Sequence, residues 1–181
     1  MEKSNCLMLT VTLETGIDLD AVFKEEDLVD SGVENDHHIT IFYDKGDKIY
    51  GDFTEDCKQF LGKSEFDTFQ EFLSGEDLFF PTMKEFELSC FENNNDYDVV
   101  ILELKDNEIK RVLSKLNKGF SEKYNIQSDY PVYTPHVTLA YVDKGNGKKY
   151  LESQQLQLVL KPSQIRFDDL FISYGIDDDY H

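Results

Sequence analysis

Two short segments of this 181-residue chain share one pattern, and they constrain its fold more than any other feature. HITIFYDKGD (38–47) and HVTLAYVDKGN (136–146) each contain a histidine, a β-branched residue, a threonine and a tyrosine before Asp-Lys-Gly. Each run is rich in β-branched and aromatic residues and ends at a turn signal, which predicts a strand. The two histidines lie about half a chain length apart. This spacing is expected if two related lobes each contribute one strand to a shared centre.

The remaining segments predict strands and helices in no strict alternation. Strands are predicted at 6–13, 85–92, 98–105, 156–160 and 165–174. Helices are predicted at 18–29 and 52–74, and most clearly from Asp106-Asn107 to Tyr124, where apolar residues recur at helical spacing. This mixed order indicates an α+β fold with one domain over 1–176 and an acidic, mobile tail over 177–181.

The charge balance limits the partners that the chain can have. Eighteen basic residues against 37 acidic ones give a net charge of −19, which repels nucleic-acid backbones at long range. An acidic surface also serves solubility alone and requires no partner. We therefore expect no long nucleic acid as a partner, and any nucleotide ligand should be small and held locally.

Composition also bears on location. No segment approaches the roughly 18 apolar residues of a membrane helix, and the N-terminus lacks the features of a signal peptide. Three cysteines without ligand-like spacing indicate reduced thiols of a cytoplasmic protein. The sequence leaves the oligomeric state open.

The two motifs place the same chemistry on each predicted strand. Side chains alternate along a strand, so His38 and Thr40 point one way together, as do His136 and Thr138. Histidine titrates near neutral pH, so a pair can supply a general base and a general acid at once. The threonine hydroxyls can donate hydrogen bonds to phosphate oxygens as charge builds there. These four residues are the predicted catalytic set, and they require neither a metal nor a cofactor.

Three further residues are candidates for substrate binding. Tyr133 precedes the second motif, where an aromatic ring could stack on a base, although packing is the alternative. Lys45 and Lys144 occupy equivalent turns after the two motifs and could meet phosphates, although turn lysines are usually solvated.

Three residues near the motifs are not predicted to act on a substrate. His37 has no threonine two residues later and should face away from His38. Tyr43 and Tyr141 need not share a face with the histidines, so we expect them to pack. The histidines and carboxylates also lack the spacing of metal ligands.

HITIFY and TPHVTLAYV resemble the paired signature of the 2H phosphoesterases, the superfamily of the 2′-5′ RNA ligase-like proteins and cyclic nucleotide phosphodiesterases. The resemblance implies a bilobal fold with two antiparallel sheets around a central cleft and pseudo-twofold symmetry. It also implies metal-independent hydrolysis of cyclic phosphates, 2′-5′ oligonucleotides or, in some phage members, cyclic oligonucleotide signals of bacterial defence. By resemblance to relatives that cleave cyclic phosphates, His136 is the base and His38 the acid.

Two other functions remain open at this point. The acidic composition also fits a non-enzymatic binding protein, such as a nucleic-acid mimic that occupies a basic partner. A third possibility is the same fold binding a nucleotide without cleaving it. Turnover of a panel of small phosphodiesters distinguishes the three.

Overall fold

The computed structural model describes residues 3–44, 53–74, 85–105, 107–126, 132–161 and 164–177. Within these ranges the β-strands are β1 (Lys3–Leu13), β2 (Leu28–Val33), β3 (His38–Asp44), β4 (Phe86–Phe91), β5 (Tyr97–Leu104), β6 (His136–Asp143) and β7 (Ile165–Asp177). The α-helices are α1 (Leu19–Val22), α2 (Phe53–Leu61), α3 (Lys63–Leu73), α4 (Glu108–Tyr124), α5 (Gly147–Tyr150) and α6 (Gln154–Gln157). Short 3₁₀ turns follow α1 at Glu25–Asp27 and α6 at Leu158–Leu160.

The strands form a curled antiparallel sheet, a half-barrel, in the order β4-β5-β6-β3-β1-β7, with β2 beside the far end of β6. The predicted mixture of helices and antiparallel strands is confirmed. The two separate sheets are not confirmed, because the strands described here belong to one connected sheet. Its halves meet where β3 and β6 pair at Ile39 and Val137.

The main hydrophobic core lies on one face of this sheet, under the longer helices. The predicted apolar stripe of α4 is confirmed, since Ile109, Val112, Leu113, Leu116 and Phe120 are all buried. The side chain of Asn107 caps the helix by accepting a hydrogen bond from the Lys110 amide. Packing of α4 on α2 is close enough that a Cβ on Gly119 would clash with the Phe60 ring at 2.4 Å.

Two predicted elements are wrong in part. Residues 156–160, expected to form a strand, belong to α6 and the 3₁₀ turn after it. The Ser153 side chain caps this helix, and Leu156 and Val159, three residues apart, are both buried. The helix predicted over 18–29 ends at Val22, because the chain turns there and continues as β2 along the edge of β6.

Two further expectations concern the C-terminal tail and membrane-spanning helices. β7 runs through Asp177, and residues 178–181 of the predicted tail lie outside the described residues. Among the described residues, no helix is long and apolar enough to cross a membrane.

Candidate active site

The pair formed by Ile39 of β3 and Val137 of β6 fixes which way the two motifs face. Both side chains are fully buried in the main core. Because neighbouring residues on a strand point to opposite faces, the flanking histidines and threonines point away from that core. We call this opposite side of the sheet the site face. Its buried apolar residues Cys6, Met8, Ile101 and Tyr141 lie outside the main core cluster, as this assignment requires.

The same register brings the four predicted catalytic residues together on the site face. The strands are antiparallel, so one step from the Ile39–Val137 pair places His38 beside Thr138 and Thr40 beside His136. In a regular ladder, the Cβ atoms of directly opposed residues are about 4.5–5.5 Å apart, and diagonal neighbours are about 7–8 Å apart. The two histidines are diagonal neighbours. The two imidazoles therefore lie on one face without being directly opposite each other.

A β-bulge follows the threonine in each motif. In β3, Thr40 pairs with Met8 and Phe42 with Leu7, which leaves Ile41 as the extra residue. The alternation is thereby shifted, and Tyr43 returns to the same face as His38.

The bulge in β6 is its counterpart. Thr138 pairs with Ile101 and Ala140 with Val100, which leaves Leu139 as the extra residue. Tyr141 therefore lies on the site face with His136 and Thr138. Each tyrosine is five residues after its histidine, a shared offset that the sequence analysis did not use.

Both bulges are held by donors from outside the β3–β6 ladder. The Asn117 side chain on α4 donates to the carbonyl oxygen of Ile41 at 2.8 Å. The backbone amide of Glu34, after β2, donates to the carbonyl oxygen of Leu139 at 2.8 Å. Each extra residue is thus fixed by a hydrogen bond, which keeps the histidine and threonine before it in place.

The two histidines make the same hydrogen bond. Nδ1 of His38 lies 2.8 Å from the carbonyl oxygen of Asp36, and Nδ1 of His136 lies 2.8 Å from the carbonyl oxygen of Thr134. A carbonyl oxygen only accepts, so Nδ1 carries the proton in both rings. In the neutral imidazole, Nε2 is then the atom that can take up a proton. The two rings therefore share the same tautomer, and each is oriented by the same hydrogen bond to the carbonyl oxygen two residues earlier.

The surroundings of the two histidines differ. His38 is buried, with 5% of its surface exposed, and pairs with Thr10 of β1. His136 is half-buried and pairs with Glu103 of β5. The ring of Phe91 meets the His136 ring nearly at right angles, with 4.7 Å between centroids. Phe91 and Glu103 were missed by the sequence analysis, because only the strand register and the curl of the sheet bring them to His136.

The threonine hydroxyls also have neighbours on the site face. Thr40 Oγ1 lies 3.9 Å from the sulfur of buried Cys6. Burial raises the pKa of that thiol to about 11, so Cys6 stays protonated at neutral pH. Burial, with Glu34 nearby, raises the pKa of Tyr141 to about 12, and the Thr138 hydroxyl partly offsets the shift. Thr138 is therefore next to a neutral phenol on the site face.

Tyr133 lies three residues before β6 and contacts β3. Its hydroxyl donates to the carbonyl oxygen of Thr40 at 2.7 Å, and its ring packs against the main core. Burial raises the pKa of Tyr133, so the hydroxyl remains a donor. These contacts support a positioning role beside Thr40, whereas base stacking stays a prediction.

The other predicted residues lie away from the histidines or outside the described chain. Lys144 follows the far end of β6, eight residues from His136, and pairs with Asp98 at 3.3 Å. Lys45 lies outside the described residues. His37 is half-buried and its pKa is lowered, chiefly by burial. The structure therefore does not bring Lys144 or His37 into the pair of motifs.

One group of potential metal ligands occurs among the described residues, and it surrounds Lys144 rather than the motifs. Ligand atoms of Cys90, Glu92 and Asp98 lie within 4.8 Å of one another. Lys144 donates to the backbone carbonyl of Glu92 and pairs with Asp98, and Lys148 pairs with the Glu92 carboxylate at 3.7 Å, so each carboxylate of the cluster already has an ammonium partner. Burial alone would raise the pKa of Asp98, but the amides of Gly147 and Gly145, together with Lys144, hold it below its usual range. This arrangement serves structure better than metal binding.

No profile of a known protein family matches the chain, and no curated protein matches it at a significant level.

Proposed function

We propose that this protein is a metal-independent phosphodiesterase that cleaves a small nucleotide phosphodiester by paired-histidine acid–base catalysis. The observation that carries the proposal is the arrangement about the Ile39–Val137 pair. Around it, two histidines with the same tautomer alternate with two threonines on one face. We further propose that the two halves of the sheet are the pseudo-symmetric lobes of a 2H phosphoesterase-like fold.

The four side chains account for each proton and charge in such a reaction. One imidazole removes a proton from the attacking hydroxyl or water through Nε2. The new bond to phosphorus forms as the bond to the leaving oxygen breaks, and the second imidazole protonates that oxygen. The Thr40 and Thr138 hydroxyls donate to the non-bridging oxygens, where charge increases in the transition state. Water and a diester are the only reactants required.

The substrates that fit are 2′,3′-cyclic phosphates, 2′-5′ oligonucleotides and cyclic oligonucleotides. The net charge of −19 disfavours a long nucleic acid. A small diester placed between the two imidazoles avoids most of this repulsion. Selection among the three classes depends on groups around the histidines.

The test is a turnover panel of these three classes, in excess chelator, followed by product analysis. Wild type should cleave at least one class. His38→Ala and His136→Ala should each lose about 10²–10⁴-fold in rate. His37→Ala is the matched control. His37 is next to His38 in the sequence but does not belong to either motif, so this variant should retain activity. A panel without any product would overturn the proposal.

An acidic binding protein is the second candidate, and the charge of −19 favours it. It predicts no product from any diester and salt-sensitive binding to a basic protein. It gives no reason for two histidines with the same hydrogen bond on one face. A 2H-like protein that binds without cleaving would instead bind a member of the panel and leave it intact.

A further inference from the structure

The proposed site is symmetric at its centre and asymmetric in the residue that lies next to each histidine. Beyond His38, the next residue across the sheet is Thr10 of β1, which is uncharged. The carboxylates of Asp168 and Asp169 on β7 come only after Thr10, and Arg166 pairs with Asp168. Beyond His136, the next residue is Glu103 of β5, and Glu87 of β4 lies directly opposite Glu103. Paired residues share a face, so both carboxylates lie on the site face.

These two carboxylates are placed at a cost to stability. Like charges directly opposite each other on neighbouring strands are destabilising. Neither β4 nor β5 contains a lysine or arginine, and Lys105, the residue after β5, pairs with Glu85 at 4.0 Å. The four side chains together carry a net negative charge at one end of the site.

Glu103 lies in the direction in which the His136 end of a bound substrate would extend. In an in-line displacement, the attacking and leaving oxygens lie on opposite sides of phosphorus, so each faces one histidine. With His136 as base, that oxygen belongs to the attacking group. Where the attacking group is the ribose hydroxyl beside a 2′-5′ linkage, its ribose extends away from His38, whereas attacking water carries no substituent. In the strand order β3-β6-β5, the side chain next along that path is Glu103.

We infer that Glu103 is a specificity-determining residue that excludes substrates with a second phosphate next to the scissile diester on the His136 side. This inference rests on the proposed function. A phosphate there would meet the carboxylates of Glu103 and Glu87. A ribose hydroxyl or a base amino group would instead donate a hydrogen bond to Glu103. The substrate class is therefore a diester whose His136-side substituent is uncharged and carries hydrogen-bond donors.

The experiment compares matched substrates that differ by one phosphate. A suitable set is 2′-5′-linked diadenosine monophosphate, alone and with a phosphate added at either end. The readout is the ratio of kcat/KM for the parent compound to kcat/KM for its phosphorylated relative. Because both values come from one enzyme, changes in the chemical step cancel in this ratio.

Wild type should prefer the parent compound when the added phosphate lies on the His136 side. Glu103→Gln should reduce that preference by roughly three- to tenfold, the effect of removing one nearby charge. Glu87→Gln, one strand further away, should reduce it less. The control Glu122→Gln removes the same charge from an exposed position on α4 and should leave the ratio unchanged. Added salt should also weaken the wild-type preference.

Two results would overturn the inference while the proposed function stands. One is equal turnover of parent and phosphorylated compounds by wild type, whichever end carries the phosphate. The other is a preference that persists unchanged in Glu103→Gln. The free energy of unfolding of Glu103→Gln should equal or exceed that of wild type, which separates a change in specificity from a damaged fold. Absence of turnover of every compound by wild type would overturn the proposed function itself, and the inference with it.

Discussion

Ile39 of β3 and Val137 of β6 are the residues through which the two motif strands meet. Their side chains point into the main core, and the register around them places each histidine beside the threonine of the other motif. A buried apolar pair therefore sets the geometry of a polar site on the opposite face. Four predictions test the contributions of individual groups, and a fifth tests the pair of histidines.

Metal independence is the first. Base, acid and charge stabilisation are all assigned to side chains, so kcat/KM should be the same in excess chelator as in added Mg²⁺ or Mn²⁺. The measurement is turnover of the best panel substrate after exhaustive dialysis against chelator. Loss of activity with recovery on adding a divalent ion would show that the site has been misassigned.

The threonines should matter less than the histidines. Thr40→Ala or Thr138→Ala should lower kcat on the order of 10–10³-fold, as expected for loss of one donor to a developing charge. Thr→Ser at either position keeps the hydroxyl and should restore most of the activity. If Ser and Ala variants were equally impaired, the methyl group would matter rather than the hydroxyl.

Tyr133→Phe separates positioning from base stacking. The variant keeps the ring but loses the hydrogen bond to the Thr40 carbonyl, so it should lower the free energy of unfolding by about 0.5–1.5 kcal/mol. It should also lower kcat, because Thr40 lies in the proposed site. Tyr133→Leu removes the ring as well. A large rise in KM for Leu, but not for Phe, would instead support stacking on a base.

Lys144→Met tests whether this lysine binds substrate. Its ammonium group pairs with buried Asp98, so the variant should lose about 1–3 kcal/mol of stability and leave kcat/KM unchanged. Lys144 and the nearby backbone amides keep the pKa of Asp98 low, so this stabilisation is present near neutral pH. It should be lost as the pH falls through the folded-state pKa. A rise in KM without any loss of stability would place Lys144 in the substrate site.

The sequence predicted what depends on local periodicity. The α4 stripe from Ile109 to Phe120 and the strands that carry the two histidines are confirmed. Alternation also predicted that His38 and Thr40 share a face, but it could not predict where alternation breaks. The bulges at Ile41 and Leu139 require partners distant in sequence, Asn117 and Glu34, so Tyr43 and Tyr141 were placed only once the register was known.

The pattern of apolar residues also does not distinguish a strand from a helix in short apolar runs. Residues 156–160 read equally well as strand or helix, and the Ser153 cap decides for helix. Glu103 was missed for a different reason. A glutamate on a predicted strand carries no signal until its cross-strand neighbour, His136, is known.

The proposed acid–base pair is tested most directly by leaving-group rescue. One histidine acts as base and the other as acid, so wild type should show a bell-shaped pH–rate profile, and each His→Ala variant should lose one limb. The double variant should be little worse than the more impaired single variant, because the pair acts as a unit. With a diester whose leaving group needs no protonation, the variant that lacks the acid should recover most of its activity.

Resemblance to relatives that cleave cyclic phosphates assigns the acid to His38 and the base to His136. On the activated diester, kcat/KM of His38→Ala should therefore approach that of wild type, whereas His136→Ala should stay about 10²–10⁴-fold slower. Recovery of His136→Ala instead would exchange the two roles. Recovery of neither variant would contradict acid–base catalysis by this pair.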